Sequence, residues 1–105
     1  MTDKTTHAPL AVTCGDPAGI GLEIFRTAQK EIGTEIPMVL FADQRHLPRD
    51  VPITLFQPNT APPPADHIWL HHIDFAQPAH PGRPDPRNAA GVIAAIEQAV
   101  RLTQA

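Results

Sequence analysis

Apolar residues occur along this chain in short runs that are separated by polar or proline-rich connections. Some runs are continuous and rich in β-branched or aromatic residues, which predicts strands. These predicted strands are Leu10–Cys14, Met38–Ala42, Ile53–Phe56 and Ile68–Ile73. The second of them reads MVLFA and contains no polar position. An uninterrupted apolar run of that kind is typical of a parallel strand that is covered on both faces.

Two other segments have helical periodicity. The first is predicted to begin at Ile20 and to end at Gly33, and the second is predicted to follow Asn88, which can cap it. The predicted buried face of the first helix consists of Ile20, Ile24, Ala28 and Ile32, broadened by Leu22, Phe25 and Thr27. The predicted buried face of the second consists of Val92, Ile93, Ile96, Ala99, Val100 and Thr103.

The predicted order of elements is strand, helix, strand, strand, strand, helix. That order indicates an α/β fold with a mostly parallel sheet and flanking helices. Two helices are few for such a sheet, because both of its faces need cover. The last helix should also lead into a further strand. We therefore expect residues 1–105 to form the amino-terminal part of a single α/β domain, incomplete in this chain and without a complete second domain.

Composition narrows the classes of protein that remain. The chain has 105 residues, a formal net charge of −3 and one cysteine, so a basic nucleic-acid-binding surface and an internal disulfide are not expected. No apolar run is long enough to cross a bilayer. The segment Met1–His7 is polar and lacks the apolar core of a signal peptide. These features favour a cytoplasmic protein that binds neither membranes nor nucleic acids.

The most informative segment is Gly15–Glu23, which reads GDPAGIGLE between the first strand and the first helix. A strand, a glycine turn and a helix start can present free N–H groups to an anion, and Gly19 and Gly21 would allow close approach. The spacing matches neither the dinucleotide fingerprint nor the P-loop. An anion site and a plain tight turn both remain open. Asp16 could cap the helix or contact a substrate, and Glu23 could offset the helix dipole.

Read as a whole, VTCGDPAGIGLEI resembles the opening of the 4-hydroxythreonine-4-phosphate dehydrogenase family, in which a first strand runs into GDPAGIGPE. The MVLFAD strand, the proline-rich connections, Asn88 and Gly91 also follow the order of that family. Leu22 stands where the family usually has proline. Proline is favoured early in a helix but is not required there, so the resemblance is kept.

The resemblance implies a fold like that of the isocitrate and isopropylmalate dehydrogenases, and a homodimer. It implies that NAD takes a hydride from 4-phosphooxy-threonine, a small phosphorylated hydroxy acid, that decarboxylation follows, and that the pathway makes pyridoxal phosphate. A divalent metal (zinc, magnesium or cobalt) is expected in the complete enzyme. Asp16, Gly19, Gly21 and Glu23 are expected to frame the substrate and cofactor cleft, whereas no catalytic residue and no metal ligand is expected in this chain, which alone should be inactive.

The histidines and the cysteine do not match positions that carry chemistry in the family. His71 and His72 are adjacent in a predicted strand, so they should point to opposite faces and could not easily share one metal. We expect the histidines to be structural or exposed. We expect Cys14 to be a small buried residue, although a helix start can activate a thiol.

Two alternatives to this function remain. A relative of the same family could act on another four-carbon acid phosphate or on an aromatic dihydrodiol dicarboxylate, because the residues that select the substrate are not expected in this stretch. A small anion-binding or oligomerisation module without catalysis would fit the same composition.

Overall fold

The computed structural model describes residues 9–104, so the segment Met1–His7 lies outside the described residues. The strands are β1 (Leu10–Thr13), β2 (Met38–Ala42), β3 (Ile53–Leu55) and β4 (Ile68–His72), and the helices are α1 (Gly21–Ile32) and α2 (Ala89–Gln104). Single 3-10 turns lie at Gln44–His46 and Pro86–Asn88. The predicted element order and all the predicted strands are confirmed, each to within one residue at its ends. Neither helix of the described part combines the length and apolar character needed to cross a membrane.

The strands form one parallel sheet in the order β1-β2-β4-β3. β2, one of the two central strands, has a continuous apolar sequence, and each of its residues is buried. A strand between two neighbours and under two layers has no solvent-facing position, which explains why its sequence does not alternate. The prediction of an α/β fold with a parallel sheet is therefore confirmed.

Side chains alternate between the two faces of the sheet and form two separate cores. On one face Met38, Leu40 and Leu70 pack with Phe25 of α1. On the other face a second cluster packs against α2, and it contains Val39, Phe41, Trp69, Ile73, Phe75, Ala95 and Ala99. One helix therefore covers each face.

The predicted buried face of α1 is wrong in part. Ile20 and Ile24 are 66% and 59% exposed, and Ile32 is also exposed. The residues that pack on the sheet are instead Leu22, Phe25 and Ala28. Both stripes of the helix are apolar, and periodicity alone does not select between them. The stripe that contains the one aromatic residue of the helix packs on the sheet.

The predicted buried face of α2 is wrong in the same way. Ala99 is buried and Val92 packs against the core as predicted, but Ile93, Ile96 and Val100 are exposed, and Ala95, which was not predicted, is buried. Gly91 lies on the same inward stripe as these alanines, since the three are spaced four apart. Small residues let the helix backbone approach the sheet closely, and a Cβ at Gly91 would lie 2.5 Å from the Phe75 ring.

The side chain of Asn88 does not cap α2 as expected, but bonds to a distant backbone group. It is 3% exposed, and its side-chain oxygen accepts a hydrogen bond from the backbone N–H of Gln77 at 2.8 Å. The residue thus ties Gln77, at the beginning of the proline-rich connection 77–87, to the start of α2. A buried side-chain amide needs a hydrogen-bond partner. Gln77 provides it, and the sequence pattern gave no sign of this because the two residues are not close in the chain.

Gly91→Ala tests the close packing of α2. Helix propensity alone would make this change stabilising by about 1 kcal/mol. Because the added methyl group would overlap the Phe75 ring, we instead expect a loss of about 1–2 kcal/mol in the free energy of unfolding, measured by urea denaturation. The exposed neighbour change Ala90→Gly calibrates propensity without any core contact. A more stable Gly91→Ala protein would contradict the close approach.

Candidate functional site

The carboxyl ends of the parallel strands meet at one edge of the sheet, which is where α/β proteins commonly bind ligands. The turn after β1, the 3-10 turn after β2 and the segment after β4 all lie there. A cavity of about 40 Å³ lies between them. Its lining consists of Cys14, Gly15, Asp16, Pro17, Leu22, Phe41, Ala42, His46, Leu47, Phe75, Val92 and Ala95. The glycine segment is therefore brought to this edge, beside residues that are distant in sequence.

Asp16 closes the glycine turn on itself. Its Oδ1 accepts a hydrogen bond from the N–H of Ala18 at 2.8 Å, and its carbonyl oxygen accepts one from Gly19 at 3.0 Å. The helix begins at Gly21, after Ile20, which provides no side-chain cap. The expectation that Asp16 caps the helix is therefore wrong, because its carboxylate lies one turn too early. The first N–H groups of α1 lack a side-chain acceptor of that kind.

Close backbone contacts explain why two positions of this segment are glycine. A Cβ at Gly21 would overlap the carbonyl group of Cys14, so only glycine lets the start of α1 come this close to the end of β1. A Cβ at Gly19 would lie 3.3 Å from the carbonyl oxygen of Asp16, which is tight but not an overlap. Glu23 lies exposed in the first turn of α1, where a carboxylate is favoured by the dipole. A role of these residues in ligand binding stays a prediction.

Asp43 has the most completely satisfied side chain at this edge. It is fully inaccessible to solvent, at 0% exposure. Its Oδ1 accepts from the backbone N–H and Nε of Arg45 at 2.9 and 3.1 Å. Its Oδ2 accepts from Nη2 of Arg45 at 2.8 Å and from the N–H of Phe75 at 2.9 Å. Because Arg45 also donates to the carbonyl oxygen of Phe75, the end of β2 is tied to the segment after β4.

The hydrogen bonds to Asp43 determine its charge. Burial by itself would raise the pKa of this carboxyl group. The side-chain and backbone hydrogen bonds from Arg45 and Phe75 outweigh that effect and hold the pKa well below its usual range. Asp43 is therefore ionised at neutral pH, and the guanidinium of Arg45 balances its charge.

Sequence reasoning did not find this ion pair, although a signal was present. The same Asp-x-Arg pattern recurs at Asp85 and Arg87, again at the start of a 3-10 turn. There the aspartate also accepts from the arginine backbone N–H, from Nε and from Nη2, at 3.0, 3.1 and 2.8 Å. Asp85 keeps 22% of its side chain exposed, so the two pairs differ mainly in burial.

Asp43, His72 and Asp74 are candidate ligands for a divalent cation, because they offer donor atoms within 4.8 Å of one another. Each of these groups already has a partner. His72 Nδ1 accepts from the N–H of Gln44 at 3.1 Å, which leaves the proton on Nε2, and Nε2 donates to Asp74 at 2.7 Å. A cation at this point would have to replace these bonds or the Arg45 guanidinium. The expectation that this chain contains no metal ligand stays a prediction.

Three other histidines make hydrogen bonds that hold separate elements together. His46 Nε2 lies 2.9 Å from the carbonyl oxygen of Gln77, and His67 Nδ1 lies 3.1 Å from the hydroxyl of Thr54. His71 Nε2 lies 2.8 Å from Oε1 of Gln98 on α2. His71 thus contacts the α2 layer, whereas His72 contacts the turn after β2, so the two neighbours diverge as expected.

Cys14 is half-buried beside the first core cluster. Burial raises the pKa of its thiol to about 11. The nearby start of α1 therefore does not activate it, and at neutral pH the group is a protonated apolar side chain.

Asp43→Asn and Asp85→Asn form a matched pair that tests the buried carboxylate. We expect Asp43→Asn to lower the free energy of unfolding by about 2–4 kcal/mol, because an amide accepts fewer of the buried donors and leaves Arg45 unbalanced. Asp85→Asn makes the same local change where solvent can replace the lost bonds, so its effect should be much smaller. Equal effects in urea denaturation would show that burial of Asp43 is unimportant.

The lowered pKa of Asp43 predicts that the stability of the folded chain depends on pH. The pKa of Asp43 is lowered in the folded chain, so its stabilisation is fully present above its unfolded pKa of about 4 and declines as pH falls toward the folded value. The stability difference between the parent chain and Asp43→Asn should therefore shrink as the pH of the urea titration is lowered below about 4. A constant difference would contradict the assigned ionisation.

Cys14 should react slowly with iodoacetamide in the folded chain. A thiol pKa near 11 leaves on the order of 100-fold less thiolate than an exposed cysteine has at neutral pH. Alkylation followed by mass spectrometry should show this difference between native and urea-unfolded chain. Equal rates would mean that the thiol is accessible or activated.

Comparison with known proteins identifies relatives along most of the chain. It is 44% identical over 102 residues to the 4-hydroxythreonine-4-phosphate dehydrogenase of Paracoccus denitrificans, with 93% of this chain and 30% of the relative covered. It is 40% identical over 99 residues to the protein of the same name from Roseobacter denitrificans, with 92% and 30% covered. A Ruegeria protein of that name is 39% identical over 104 residues, with 92% and 31% covered.

No family model matches the chain. The chain spans about 30% of the length of these curated relatives. The similarity extends over more than nine-tenths of the chain, which is enough to include the glycine segment. Over nearly its whole length the chain is therefore similar to an amino-terminal portion of proteins named 4-hydroxythreonine-4-phosphate dehydrogenase.

Proposed function

We propose that this chain supplies the amino-terminal part of an NAD-dependent dehydrogenase that oxidises and decarboxylates 4-phosphooxy-threonine in pyridoxal phosphate biosynthesis. The observation that carries the proposal is the position of the glycine segment Gly15–Glu23 at the carboxyl edge of a parallel sheet. The relatives named for this dehydrogenase match the chain over that segment and beyond it. The proposed enzyme is a homodimer of the cytoplasm with a fold like that of the isocitrate and isopropylmalate dehydrogenases.

Within this enzyme we assign Asp16, Gly19, Gly21 and Glu23 to the frame of the cleft. Asp16 holds the turn through its bond to Ala18, and the glycines keep side chains out of the space before α1. The uncapped start of α1 offers N–H groups and a partial positive charge to a phosphate or carboxylate. These residues would position a ligand and would not carry the reaction.

The cofactors of the proposed enzyme are NAD and a divalent cation such as zinc, magnesium or cobalt. When bound, these groups would supply a hydride acceptor and a Lewis acid for the oxygen of the alcohol that is oxidised. Asp43, His72 and Asp74 have the donor chemistry for such a cation, but the ionised Asp43 is already balanced by Arg45. The donor set therefore fits a cation poorly in this arrangement, and we place the metal ligands in the part of the family protein that this chain does not match.

Residues 1–105 are proposed to be one part of a single dehydrogenase domain and to be inactive alone. The cavity beside the glycine turn has a volume of about 40 Å³. Sites for small molecules and cofactors usually enclose several hundred Å³, so this cavity is far too small for a phosphorylated substrate and a dinucleotide. The rest of a family-length protein would have to complete the walls of the site.

Activity measurements test this proposal. A chimera would join this chain to the part of the Paracoccus relative that follows the matched segment. We expect the chimera to form NADH from 4-phosphooxy-threonine, NAD and a divalent cation, whereas the 105-residue chain should form none. Turnover by the chain alone would overturn the assignment of the catalytic groups. Screening four-carbon acid phosphates and dihydrodiol dicarboxylates with the chimera would detect another substrate of the family.

Two changes at Asp16 test the framing role in the chimera. Asp16→Ala removes the bond to Ala18, and we expect kcat/KM to fall by about tenfold or more, because a misplaced turn weakens positioning. Asp16→Asn keeps an oxygen that can accept the same bond, so kcat/KM should stay close to the parent value. If both changes cause the same loss, the charge of Asp16 contacts the ligand directly and the framing role is wrong.

A further inference from the structure

β1 is an edge strand whose outer side has no partner among the described residues. Leu10 donates its N–H to the carbonyl oxygen of Pro37 at 2.8 Å, so its backbone points toward β2. Successive residues of a strand point their N–H groups to alternate sides. Ala11 and Thr13 therefore direct their N–H groups away from β2, toward the free edge. Such an edge is a template for another strand.

The handedness of the two helical connections indicates where a strand that follows α2 would pair with the sheet. α1 covers one face of the sheet and connects β1 to β2, whereas α2 follows β4 on the opposite face. Crossovers between parallel strands have the same right hand in nearly all proteins. If two crossovers have the same handedness but lie on opposite faces of the sheet, they must move across the sheet in opposite directions. The connection through α2 therefore runs from β4 back past β2, and the first free edge in that direction belongs to β1.

The position of α2 and the surface beside β1 agree with this direction. α2 lies against β1 and β2 and not over the β3 edge. An apolar cavity of about 270 Å³ lies on the sheet face beside the end of α2, and its lining extends from Ala11 of β1 across β2 to Phe56, which follows β3. Ile93, Ile96 and Val100 of α2 are also uncovered. Further secondary structure on this side would cover Leu102 and the exposed residues of α2.

We infer that the free edge of β1 binds one additional parallel strand, in the order new strand-β1-β2-β4-β3, and that this strand comes from the part of a family-length protein that follows α2. About 70% of the length of these relatives lies outside the segment that this chain matches, which is ample chain to supply such a strand. The inference rests on the topology and on the family, and it does not depend on the reaction proposed above.

Hydrogen exchange at individual backbone amides tests the inference without substrate. In the 105-residue chain the amides of Ala11 and Thr13 should exchange quickly, whereas those of Leu10 and Val12 are protected by β2. In the chimera with the remainder of the Paracoccus relative, Ala11 and Thr13 should exchange on the order of 100-fold more slowly. Leu10 and Val12, already bonded, serve as the internal reference.

Proline substitutions provide a second measurement. Ala11→Pro removes only an outward N–H, so the free chain should keep its melting temperature to within a few degrees, as edge strands tolerate proline on their open side. The same change should clearly lower the melting temperature of the chimera. Val12→Pro is the orientation control, since it removes a bond to β2 and should destabilise both proteins.

Three results would overturn the inference. The first is unchanged, fast exchange of Ala11 and Thr13 in the chimera. The second is protection of these amides in the free chain that increases with its concentration, which would show that a second copy occupies the edge. The third is a chimera that does not unfold cooperatively, because a completed sheet edge should give one folded unit.

Discussion

The bonds between Asp43, Arg45 and Phe75 hold together the edge of the sheet on which the candidate site depends. Asp43 follows a strand that is buried throughout, so its carboxylate enters the structure with no access to water. It becomes compatible with that position only because two backbone N–H groups and a guanidinium surround it. The same bonds bring Phe75 against the start of α2 and next to the glycine turn, so packing and charge at this edge are linked.

Both helices have more apolar surface than the sheet covers. In α1 the sheet binds Leu22 and Phe25 and leaves Ile20 and Ile24 exposed, and in α2 it binds the small residues and leaves the large ones exposed. A helix that is apolar on more than one side is normally buried on more than one side. This surplus, the free edge of β1 and the 30% coverage of the curated relatives are consistent with one another. All three are consistent with the proposal that further parts of a family-length protein pack against these surfaces.

Two residues of the glycine segment have structural roles. Gly21 is required by the close approach of α1 to Cys14, and Asp16 is required to close the turn. Those needs are structural, and they would apply whether or not a ligand binds. They still serve the proposed enzyme, because a rigid turn at a helix start holds N–H groups in place for an anion. The cleft that would use them is only partly enclosed by this chain.

The sequence by itself determined the strands, the parallel α/β order and the resemblance to the 4-hydroxythreonine-4-phosphate dehydrogenase family. Those features depend on local patterns, namely continuous apolar runs, turn residues and the string from Val12 to Ile24. It did not determine which stripe of α1 or α2 faces the sheet, because two apolar stripes satisfy the same periodicity. It also did not reveal the partners of Asp43 or Asn88, since Phe75 and Gln77 lie more than ten residues away in the chain. Only the tertiary structure decided these points, because close packing and buried hydrogen bonds depend on which distant backbone groups meet.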